Sequence, residues 1–101
     1  MKTITLERDN LFRSLVRSTS RRADPETASL AEAIADGTRA LDMASLEQLT
    51  RRILDTGDDV LLDRLVAYCI SNSIMFDVEM IRAKGWRKLL VRLKRGLFRR
   101  W

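Results

Sequence analysis

Histidine is missing from the 101-residue sequence, cysteine and proline occur once each, and glycine only four times. Each scarcity excludes something. Without imidazole there is no histidine general base, no histidine metal ligand and no Ser–His or Cys–His pair. A lone Cys69 cannot close an intrachain disulfide and gives no basis for a thiolate-built metal site, which suits a reducing compartment. So little glycine and proline leaves too few tight turns for a β-rich fold. No apolar run approaches the ~18–20 residues of a membrane-spanning helix, and Glu7, Arg8 and Asp9 interrupt any apolar block of a secretory leader. The expectation is a cytoplasmic chain, at most peripheral to a membrane. No cofactor, metal, small-molecule substrate or enzymatic activity is expected.

What is present is ordinary in amount and unusual in arrangement. With 46% apolar and 33% charged residues, the composition is that of a globular protein, too apolar for disorder. The length predicts one helical domain over 1–101, with a modest core. Net charge is +5, yet residues 1–22 carry +4, residues 23–81 carry −8, and residues 82–101 carry +9 with no acidic side chain. This divides the chain into a basic N-terminal helix and connector (1–22), an acidic helical core (23–81) and a basic amphipathic tail helix (82–101). Such asymmetry points to an anionic partner.

Periodicity supplies the elements. Over residues 9–19, Leu11, Phe12, Leu15 and Val16 share one helical face, with Arg13 and Arg17 opposite. STSRRAD (18–24) reads as a polar connector. Asp24-Pro25-Glu26 is a helix start, with Asp as cap, Pro at the first position and Glu at the positive end of the dipole; Gly37 ends that helix. Ser45 to Gln48 reads as a capping box opening a helix that turns Leu46, Leu49, Ile53 and Leu54 inward. Gly57 fits the helix end, and Asp58 or Asp59 the next N-cap. Leu61, Leu62, Leu65, Val66, Cys69 and Ile70 then face the core, with Cys69 an inert thiol. Asp77 fits a further N-cap with Phe76 and Ile81 as its staple, and Met75, Phe76 and Met80 fill the core. The expected fold is all-α, a small bundle of four to five short helices with a basic amphipathic C-terminal helix.

Residues 53–59, ILDTGDD, resemble the Asp-Thr-Gly catalytic loop of retroviral-type aspartic proteases, over those seven residues. The resemblance would imply a dimer on a β fold with a Gly-rich flap, in which two Asp55 carboxylates share a proton and activate water. Here the surrounding periodicity is helical, and Gly85 and Gly96 form no flap-like cluster. Asp55, Thr56 and Gly57 therefore read as a helix end followed by an N-cap. The acids Asp55, Asp58, Asp59 and Asp63 lack the alternate spacing of an EF-hand. A helix-turn-helix across 45–72 would open its recognition helix with DDVLLDR and press carboxylates against phosphates.

The tail, RAKGWRKLLVRLKRGLFRRW (82–101), carries the strongest signal. At 100° per residue Trp86, Leu89, Leu90, Leu93, Leu97 and Trp101 fall within about 120° of arc. Lys88, Arg92, Arg95 and Arg99 lie opposite, and Arg87 and Lys94 flank the stripe. Like charges four residues apart destabilise a helix slightly, and an external anion would relieve them. The candidate anion contacts are Arg87, Lys88, Arg92, Lys94, Arg95, Arg99 and Arg100, with Trp86 and Trp101 as interfacial anchors. The expected function is that of a non-enzymatic regulatory or adaptor protein. Its helical body would bind a protein partner or a second copy, and its tail an anionic surface, membrane headgroups ahead of nucleic-acid phosphates. The alternative is an inhibitor or chaperone whose tail docks on its own core.

Overall fold

The computed structural model describes residues 6–74 and 76–100, with side chains as far as Arg95. Among these residues the chain is all-helical: α1 (Asn10–Arg22), α2 (Pro25–Asp36), α3 (Met43–Thr56), α4 (Asp59–Ser71), α5 (Val78–Lys84) and α6 (Arg87–Arg100). There are six helices where periodicity predicts four to five, and Gly85 is a principal reason. Its φ of 73° ends α5 two residues before α6 begins, so residues 82–101 do not run as one helix.

Aspartate starts most of these elements. Asp9, Asp24, Asp42, Asp58 and Asp77 each take the N-cap of α1 to α5 and accept a hydrogen bond from a first-turn backbone N–H. A carboxylate both satisfies an orphan donor and meets the positive end of the helix dipole. Asp42 therefore displaces the capping box expected at Ser45: α3 begins earlier, and the Ser45 N–H donates to Asp42 Oδ1 at 2.8 Å. The expected connector is also shorter, because α1 continues through residues 18–22. Thr19 Oγ1 donates to Leu15 O at 2.7 Å and Ser20 Oγ to Val16 O at 3.1 Å. Hydroxyls that could compete with the helix are thus used inside it.

At the α3–α4 junction Thr56 Oγ1 donates to Ile53 O at 2.6 Å and accepts from the Asp58 N–H at 3.1 Å. Gly57 takes a left-handed φ of 69°. The Asp-Thr-Gly run is helix punctuation, and Asp55 is exposed on the last turn of α3. The end of α4 has the same left-handed geometry without glycine: Ser73 sits at φ 55°, while the Ile74 N–H donates to Cys69 O at 2.8 Å. A Cβ in that conformation is strained.

α4 lies at the centre, packed by α1, α3 and α6, while α2 bridges α1 and α3. Its Leu61, Leu62, Leu65, Val66 and Cys69 are buried as periodicity predicts, with Ile70 partly buried. Tyr68, which periodicity does not single out, is fully buried too. Its hydroxyl donates to Glu7 O at 2.7 Å, and its ring packs tilted on Phe12 at 5.3 Å. Burial, reinforced by Asp9, pushes the phenol up to about 12. Burial alone pushes the Cys69 thiol up to about 12, so it stays protonated and unreactive at neutral pH. Leu11 corrects an expectation in the other direction: it is 37% exposed. The buried stripe of α1 runs through Phe12, Leu15 and Thr19, which leaves Leu11 at its edge. Phe76 and Ile81 are buried, Met80 is partly so, and Met75 lies outside the described residues. No helix among the described residues is long and apolar enough to cross a membrane.

Two outcomes follow from these helix ends. Asp24 is held below its ordinary 3.8 by the Thr27 hydroxyl and N–H, Asp42 by the Ser45 N–H, and Asp58 chiefly by the Arg22 guanidinium. A lowered folded value means stabilisation that is complete above 3.8 and lost as pH falls through the lowered values. The melting temperature, followed by circular dichroism, should hold down to about pH 5 and fall below about pH 4. Asp24→Asn, which caps without ionising, should make that acid limb shallower. Ser73→Gly should raise stability in urea by about 0.5–1 kcal/mol, by relieving the left-handed strain.

Candidate anion-binding surface

The basic end of the molecule is organised by how α6 is set down. Trp86, Leu89 and Leu93 are buried in the common core, and Leu90 is partly buried against it. Each such side chain gains roughly 1.5–3 kcal/mol from burial, so this stripe holds α6 in place. Trp86, expected from the sequence as an interfacial anchor, is 8% exposed, with Lys84 Nζ 5.4 Å from its ring centroid. Position 86 continues the Leu89–Leu93 stripe one turn back, and its indole is covered by the fold. Trp101 lies outside the described residues.

The start of α6, preceded by Trp86, lacks the aspartate N-cap that opens each of the other five helices. No acidic residue stands in its first turn, where Arg87 and Lys88 lie at the positive end of the dipole, an arrangement that costs helix stability. This turn forms one wall of a cleft of about 510 Å3, lined by Arg51, Leu54 and Asp55 of α3, Lys84 of α5, Gly85, Trp86, Arg87 and Lys88. Among the described residues, four cations from three helices thus line the cleft with a single carboxylate, Asp55.

Further along α6 the cations part company. Arg92 reaches Asp59 of α4 at 3.1 Å and also pairs with Asp63, while Lys88 Nζ is 3.9 Å from Asp59. Arg87, Lys94 and Arg95 are exposed and have no ion pair among the described residues. The backbone of Arg99 and Arg100 completes α6, and their side chains lie outside the described set. The five of the seven sequence-proposed cations whose side chains are described lie on different flanks of α6. Arg87 and Lys88 face the cleft, Lys88 and Arg92 lean on α4, and Lys94 borders an apolar groove on another side of the helix.

Two cleft residues escaped the sequence reading. Arg51 arrives from α3 by tertiary packing, for which local sequence holds no signal. Lys84 belongs to the basic segment but precedes the amphipathic stripe. A third basic feature was legible in part: Arg13, Arg17 and Arg21 of α1 recur every four residues, and all are exposed without an ion pair among the described residues. No cluster of potential metal ligands occurs among the described residues. No family model matches the chain, and no curated protein or solved structure shows significant similarity to it.

Asp59 and Asp63 are well exposed, at 62% and 64%, so their pairs with Arg92 contribute little stability. Asp59→Asn with Asp63→Asn should change the urea unfolding free energy by less than about 1 kcal/mol. A loss of several kcal/mol would instead mean that these carboxylates hold α6 in place.

Proposed function

We propose that this protein is a non-enzymatic binding module for a phosphate-dense polyanion, with the nucleic-acid backbone as ligand. The observation that carries the reading is the convergence of Arg51, Lys84, Arg87 and Lys88 on one cleft whose described lining holds one carboxylate, Asp55, with Lys88 also 3.9 Å from Asp59 outside it. Guanidinium and ammonium groups so placed make charge-assisted, partly bidentate contacts to phosphate oxygens. The burial of Trp86, Leu89 and Leu93 supports this choice. With its leucine stripe committed to the core, the basic amphipathic tail offers charge, and charge alone favours phosphates over insertion into lipid. The Arg13, Arg17 and Arg21 ladder, rising about 6 Å per rung, is a second electrostatic contact in the same reading. Recognition would be weak in sequence preference and strong in salt dependence.

Anionic membrane headgroups are the second reading. It is favoured by Val91, 48% exposed between Arg87 and Arg95 on the open side of α6, and by Val78, 43% exposed. A protein partner or second copy for the helical body is also part of the proposal, with Leu11 and Val60 as the large apolar residues it would cover. A cytoplasmic location accompanies all of these.

Binding of the full chain to an oligonucleotide duplex should weaken linearly in log–log form with salt, with a slope of about −3 to −4 if the four cleft cations each meet a phosphate. Arg51→Ala and Arg87→Ala should each reduce that slope by about one unit. Binding to anionic vesicles without oligonucleotide binding would transfer the reading to membranes. No binding to either at low salt would overturn it.

A further inference from the structure

On the other flank of α6 lies an apolar groove of about 320 Å3. Its walls come from the end of α4 (Cys69, Ile70), the following turn (Ser73, Ile74, Phe76), α5 (Val78, Ile81) and α6 (Leu90, Leu93). The lining also includes Ser73 and Lys94, its hydroxyl-bearing and charged members. Lys94 is exposed and has no ion pair among the described residues. The volume sits at the lower end of the range for small-molecule sites, and apolar walls with few polar groups are how such sites are built.

We propose that this groove binds a single-chain amphipathic carboxylate, a free fatty acid, with its hydrocarbon chain along Ile74, Phe76, Val78 and Leu90 and its carboxylate on Lys94. The chemistry selects the occupant from both ends. Walls this apolar gain from covering hydrocarbon and would leave a polar ligand's hydrogen bonds unmet. A lining cation with no ion pair among the described residues prefers an anionic head to a neutral or cationic one. A groove of about 320 Å3 is of the size that one extended hydrocarbon chain can occupy. Ser73, held in left-handed geometry just after α4, is the other hydroxyl- or charge-bearing residue in the lining. This inference does not depend on the polyanion reading, because the cleft of Arg51, Lys84, Arg87 and Lys88 shares no residue with the groove.

The test is calorimetric titration of the full chain with sodium dodecanoate below its micellar concentration, beside dodecan-1-ol and dodecyltrimethylammonium. The expected result is saturable one-to-one binding of dodecanoate, weaker for the alcohol and weakest for the cation. Lys94→Glu should lower dodecanoate affinity by about tenfold or more while sparing the alcohol. Val78→Glu places a charge at an already exposed groove residue, so it should abolish binding without unfolding the chain. It should also leave oligonucleotide binding intact, which separates failure here from failure of the polyanion reading. Absence of saturable binding, indifference to Val78→Glu, or equal affinity for alcohol and carboxylate would overturn the proposal.

Discussion

The burial of Leu89 and Leu93 between α6 and the core decides what the basic end of this molecule presents. Once that stripe is covered, the other described side chains of α6, as far as Arg95, have their directions assigned by the helical period. Lys88 and Arg92 turn toward Asp59 and Asp63, Lys94 and Leu90 toward the groove, and Arg87 toward the cleft. An apolar stripe with cations opposite it is compatible in sequence with a free tail and with a docked one. Docking converts a single amphipathic surface into three distinct flanks, each with its own neighbours.

Charge segregation along the chain takes a different meaning in three dimensions. The acidic middle is not an acidic face. Asp24, Asp42, Asp58 and Asp77 are spent as N-caps, Glu26 pairs with Arg52 at 3.1 Å, and Asp59 and Asp63 serve α6. Most of these carboxylates work within a few ångströms of their own backbone or a neighbouring helix. The cations are used less completely, and the excess gathers where a helix begins without an aspartate. Ion pairs with Arg22, Arg52, Lys88 and Arg92 offset part of this acidity, while Arg87 at the start of α6 and Arg13, Arg17 and Arg21 on the outer side of α1 are exposed without an ion pair among the described residues.

Much of the fold was legible because it is written in strong local chemistry. Asp24 before Pro25, Gly57 before Asp58, and Asp77 ahead of Ile81 mark boundaries with residue types that have few other uses. The wide apolar arc from Leu61 to Ile70 identified the central helix. Weaker local signals misled. Ser45 with Gln48 resembles a capping box, but Asp42 offers a better acceptor three residues earlier. Thr19 and Ser20 look like connector residues until their hydroxyls are seen bonded back into α1. Tyr68 is core because Glu7 brings a carbonyl to its hydroxyl from 61 positions away, and no local pattern encodes that. The cleft was the least legible feature. Arg51 and Arg87 lie far apart in sequence, and only the packing of the helices brings them to one place.

The lysine lying over Trp86 makes the cleft its own reporter. Indole fluorescence responds to a nearby charge, and this ammonium stands 5.4 Å from the ring centroid. An incoming anion that draws the ammonium aside would alter the local field at the chromophore, so occupancy of the site would register as a spectral change without any attached label.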